Sequence, residues 1–125
     1  MAGTLTISTL SDGTNSTSST NCIQGSAKAW VNFNGQSGSV AVNASYNVSS
    51  ITRNGSGSYT VTLTNALADN KYAIAGSASS LGSGGILAYI NDNNTLRTSS
   101  AFIFQVLNSS LSSTDSQIIS CVVFR

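Results

Sequence analysis

Residues 48–64, VSSITRNGSGSYTVTLT, decide the fold. Tyr59, Val61 and Leu63 alternate with Ser58, Thr60, Thr62 and Thr64. That period of two describes a strand with one face on a core and the other in water. The intervening Asn54-Gly55-Ser56-Gly57 consists of residues that tolerate positive φ. It predicts a reversal that pairs this strand with Val48–Ile51 as a hairpin.

The same alternation recurs on both sides of the hairpin. In AKAWVNF (27–33), Ala29, Val31 and Phe33 fall on one face and Trp30 and Asn32 on the other. The segment 40–53 supplies one long or two shorter strands with Val40, Val42, Ala44 and Tyr46 in phase. Leu5 and Ile7 alternate with threonines over 4–10, whereas 11–21 (SDGTNSTSSTN) has no apolar side chain and reads as a flexible loop or arm. Further strands are expected over 71–79, 86–90, 101–107 and 118–124, with one helical turn in NALADN (65–70). Short strands at this spacing predict an all-β, single-domain β-sandwich or jelly roll of about eight strands. Residues 1–21 form its N-terminal strand and flexible arm, and 22–125 the sandwich domain.

The composition supports this and removes much chemistry. Ser (25), Thr (13) and Asn (13) fill 51 of 125 positions, against two Lys, three Arg, four Asp and no Glu, His or Pro. Helices need long charged side chains to solvate their surfaces, and few are present. Without His no Ser-His-Asp or Cys-His arrangement can be assembled. Asp12, Asp69, Asp92 and Asp115 lie beside Asn, Gly, Ser or Thr and read as turn formers. Asp92 has oxygen-rich neighbours, but one carboxylate makes a weak Ca²⁺ site, and two cysteines alone make no zinc site. The reading assigns no catalytic residue, no cofactor and no metal, and expects a protein that is not an enzyme.

A net charge of +1 offers nothing to nucleic acid. The N-terminus has no secretory-signal pattern and no apolar run spans a bilayer, so no membrane insertion and synthesis in a cytosol are expected. Cys22 and Cys121 read as two buried thiols in strands, with a disulfide as the alternative. Trp30 stands on the face opposite Ala29, Val31 and Phe33, which makes it the candidate interface aromatic. With Tyr46, Tyr59, Tyr72 and Tyr89 it could instead form a sugar-stacking surface.

The runs GSAKAWVNFNG (25–35) and SYNVSSITRNGSGSYTVTLTNALADNKYA (45–73), with the ending CVVFR, resemble a domain of tailed-bacteriophage structural proteins. That domain occurs in short stand-alone virion proteins and at the C-terminal ends of tail fibres. The likeness covers about 4–75 and 117–125, and nothing between Gly76 and Ser116 is recognisable. It implies a β-rich, homotrimeric virion component without enzymatic activity, and it brings no catalytic residues.

Two virion roles follow as expectations. The first is a capsid decoration (cement) protein: the chain starts at Met1, reads as one domain and has no long shaft. Its arm, with Leu5, Ile7 and Leu10 as the candidate partner contacts, would lie on the major capsid protein by strand addition. The second is a tail-fibre tip that recognises a host surface glycan or protein. Neutral hydroxyl and amide surfaces allow many copies to crowd without repulsion, and few charges guard the strand edges, so self-association is expected. A free lectin, or a carbohydrate hydrolase using Asp92 or Asp115, is the reading outside virions.

Overall fold

Alternating side chains need two sheets to bury their apolar faces, and the computed structural model of the chain builds them. It describes residues 3–36, 38–79, 86–90 and 97–125, with 86–90 as backbone. The N-terminal part holds β1 (Thr9–Ser11), β2 (Ser16–Ser18) and a short helix α1 (Ser19–Gly25). Then come β3 (Ala27–Asn34), β4 (Ala41–Tyr46), β5 (Val48–Gly55) and β6 (Ser58–Leu63). The chain ends with β7 (Ala73–Ala78), β8 (Ile86–Ile90), β9 (Ala101–Asn108) and β10 (Ile119–Phe124).

β3 to β10 form two four-stranded antiparallel sheets, in the orders β4-β3-β10-β7 and β5-β6-β9-β8. Their central strands supply the core. Ala29, Val31 and Phe33 from β3 and Ile119, Cys121 and Val123 from β10 meet Tyr59, Val61 and Leu63 from β6 and Phe102, Phe104 and Val106 from β9. The hairpin expected at 48–64 is present, with Ile51 opposite Val61 and Arg53 opposite Tyr59. Gly76 in β7 leaves room for Phe104, since a Cβ there would come within 2.6 Å of the ring.

The segment 40–53 divides into two strands that belong to different sheets, and Asn47 is the corner between them. Its φ of 54° is left-handed, a conformation Asn tolerates better than most residues. Its Nδ2 donates to Lys28 O and Asn65 O, and its Oδ1 accepts from Asn65 N at 2.8 Å. One side chain thus fastens the start of β3 to the exit of β6.

Several boundaries differ from the sequence reading. Strand β1 begins at Thr9 rather than Thr4, and 16–25 is ordered as β2 and α1. Ser18 caps the helix by accepting from Asn21 N, a local hydrogen bond that competes well with extended chain. The expected division at 21/22 therefore falls inside α1, and the sandwich starts at Ala27. Cys22 is a half-exposed helical thiol rather than a buried strand residue, while Cys121 is buried in β10 as expected. No helical turn forms at 65–70. A bulge between β3 and β4 breaks the expected phase: Ala44 faces Asn32, but Val42 faces Phe33, leaving Asn43 as the extra residue.

Candidate functional site

Three places could carry function: the carboxylates, the N-terminal module and the outer face bearing Trp30. The described carboxylates, Asp12, Asp69 and Asp115, are used structurally. Asp12 Oδ1 accepts from the backbone N–H of Thr14 and Asn15, closing the β1–β2 turn and lowering its pKa. Asp69 accepts from Lys71 N and takes both guanidinium arms of Arg125, which also lowers its pKa.

Asp115 is more than a turn former. Its Oδ1 accepts from Tyr59 Oη at 2.7 Å, Gly57 N at 2.8 Å and Arg53 Nε at 3.2 Å, and its Oδ2 accepts from Arg53 Nη2 at 2.7 Å. Burial pushes this carboxyl upward, yet Arg53, the Gly57 N–H and the Tyr59 hydroxyl outweigh it and hold the pKa below the ordinary value. Burial and the adjacent carboxylate drive the Tyr59 phenol upward, so it stays a donor. The sequence held no local signal for this cluster, because its members lie 56 to 62 residues apart from Asp115. Asp92 and the side chain of Tyr89 lie outside the described residues. Among the described residues no group of three His, Cys, Asp or Glu side chains could hold a metal ion. Nor is any described helix long and apolar enough to cross a membrane.

The N-terminal module brings together the candidate arm residues. The pairing of Leu10 with Thr17 and the Ser19 N–H bond to Ser8 O fold 3–25 back on itself. Leu5, Ile7 and Leu10 then line one open groove of about 380 Å³ with Cys22 and Ile23 of α1. No described residue of 3–26 is buried, and Leu5 and Ile23 stay 81% and 64% exposed. Lys28 Nζ links the module to β3 by donating to Ile23 O and Ser26 Oγ. Ile23 was not singled out by the sequence reading, and Cys22 was expected as a buried strand thiol rather than a groove residue. The sequence signal available for the helix was Ser18 as its N-cap.

Trp30 projects from the sheet β4-β3-β10-β7 away from the core, between the buried Ala29 and Val31. It stands between Tyr46 on β4 and Val122 on β10. Trp30 is 40% exposed. Of the tyrosines, Tyr59 and Tyr72 belong to the core, and Tyr46 shares the exposed face with Trp30. Comparison with known protein families, with curated proteins and with solved structures finds no match for this chain.

Proposed function

We propose that this protein is a non-enzymatic surface component of a tailed-bacteriophage particle, a homotrimeric capsid decoration protein attached to the major capsid protein through its N-terminal module. The observation that carries the reading is the groove of Leu5, Ile7, Leu10 and Ile23. It is an ordered set of apolar side chains that the chain's own sandwich leaves uncovered. Clustered exposed apolar side chains mark interaction sites. A nearly neutral, Ser/Thr/Asn-rich sandwich also suits close repetition on a lattice.

Purified protein mixed with expanded, undecorated capsids tests the reading. Binding should saturate in proportion to the capsid lattice and raise the capsid's melting temperature, and Leu5→Asp or Ile7→Asp should abolish it. Localisation to the tail in a few copies, or no capsid binding, removes the decoration role. A monomer at every concentration in light scattering removes the trimer. A tail-fibre tip is the second reading, favoured by the exposure of Trp30 and Tyr46 on one face.

A further inference from the structure

The outer face of the sheet β4-β3-β10-β7 carries a trough of about 290 Å³ beside Trp30. Trp30 forms one wall, and Val122, Ala75 and Ser77 on β10 and β7 line the rest. The small side chains on β7 leave the indole standing above them. Tyr46, opposite Trp30 on β4, extends the aromatic ledge on its other side.

The neighbouring cross-strand row is polar and already organised. Asn32, Ser120 and Ser77 stand side by side on β3, β10 and β7. Asn32 Nδ2 donates to Ser120 Oγ at 2.8 Å, and Asn43 Nδ2 donates to Asn32 Oδ1 at 2.8 Å. These bonds orient the amides, which keep further donor and acceptor capacity for a ligand. Among the described residues no charged side chain lines the trough.

We propose that this trough binds a neutral saccharide, one sugar ring stacked on Trp30 and its hydroxyls bonded to the Asn32–Ser120 row. The indole face suits the apolar face of a sugar ring. The fixed amide and hydroxyl groups suit a ligand made of hydroxyls, and the lack of charge matches a neutral one. The volume sits near the lower end of small-ligand pockets, about 300–1,000 Å³, which fits one or two rings. A second copy of the chain is the poorer occupant. A stable subunit contact needs about 800 Å² per partner with an apolar centre, and beyond Trp30, Tyr46, Val122 and Phe124 the paired positions of this face are Ala, Asn and Ser. The assignment does not rest on attachment to a capsid, and capsid binding can fail or succeed independently of it.

Trp30 is the sole tryptophan, so its emission reports the trough directly. The full chain is titrated with neutral oligosaccharides of glucose, galactose, mannose and N-acetylglucosamine, followed by fluorescence and calorimetry. The expected result is a saturable change in emission with at least one of them. By calorimetry, Trp30→Ala and Asn32→Ala should weaken that binding roughly tenfold, as expected for one lost stacked or polar contact. Ala75→Leu, which fills the trough from an edge strand, should abolish binding and leave the melting temperature unchanged. Silence from all four sugar series overturns the proposal, as does binding indifferent to these substitutions. Emission that shifts with protein concentration and not with saccharide assigns the face to a second copy, and likewise overturns it.

Discussion

The Tyr59 hydroxyl donates to Asp115 Oδ1 at 2.7 Å, joining the centre of the core to the loop that precedes β10. Tyr59 is fully buried, and its oxygen also lies 3.1 Å from Gly35 O. Asp115→Ala would remove the main acceptor of a buried phenol and the partner of Gly57 N. The expected cost is about 2 to 3 kcal/mol, the range for bonds to a charged group with a buried donor left unpaired. Tyr59→Phe should cost about 1 kcal/mol, because it removes donor and demand together. Urea unfolding of both variants measures this; equal losses would show that leaving the Tyr59 phenol and Gly57 N without Asp115 adds no cost of its own.

Acid should weaken the same joint. The Asp115 pKa is lowered in the fold from an ordinary 3.8, so the unfolded chain binds the proton more readily. Its stabilising contribution is complete above that value and disappears as pH falls through the lower folded value. Asp12 and Asp69 are shifted in the same direction, so wild type alone cannot isolate Asp115. Stability measured from pH 7 downwards should fall less steeply below pH ~4 in Asp115→Asn than in wild type. Parallel curves would show that Asp115 does not contribute.

How far the sequence could be read follows from the range of the forces involved. The strand at 58–63 was legible because alternation is local and reports burial directly. The same holds for Ala29, Val31 and Phe33, all found in the core. The bulge at Asn43 was not legible, since it depends on how β4 meets β3 and not on β4 alone. Gly57 shows both cases. Its place in a turn was readable, but its φ of 63° and the backbone of Val106 and Thr114 against its Cα are set by distant chain. Within the arm, Leu5, Ile7 and Leu10 were readable as apolar residues and candidate partner contacts. Their convergence with Cys22 and Ile23 required α1 to fold back beside them.

Asn47 should be among the least replaceable polar residues. It combines a left-handed backbone with three side-chain hydrogen bonds across the sheet junction. Asn47→Ala should destabilise by about 2 to 4 kcal/mol, through lost bonds and backbone strain together. Asn47→Gly relieves the strain alone and should recover about 1 kcal/mol of that loss. Denaturant midpoints for the pair decide the point, and two variants within about 0.5 kcal/mol of wild type would contradict it.

The two thiols should differ sharply in reactivity. Burial raises the Cys121 pKa from 9.0 to about 12 and leaves the side chain 4% exposed. Cys22 sits half-exposed in the arm groove. In native protein a thiol reagent at pH ~8 should modify Cys22 promptly and Cys121 only on unfolding, because the thiolate is the reacting form. Comparable rates at both positions would show that β10 opens readily in the native state.

The N-terminal module should be dispensable for the sandwich and indispensable for the proposed capsid attachment. None of its described residues is buried, so its removal exposes little core and the two sheets keep their apolar contacts. The Lys28 bonds to Ile23 O and Ser26 Oγ are exposed, and exposed contacts of this kind contribute little. A chain beginning at Ala27 should therefore melt within about 4 °C of the full chain, the shift of roughly 1 kcal/mol in a domain of this size. It should retain any saccharide response of Trp30, since the trough is built from β3, β10 and β7. Capsid binding should vanish, because Leu5, Ile7, Leu10 and Ile23 leave with the deleted segment. Thermal melting and capsid co-sedimentation of the shortened chain measure both halves. A large fall in melting temperature would make the module part of the fold, and retained capsid binding would place the attachment surface on the sandwich.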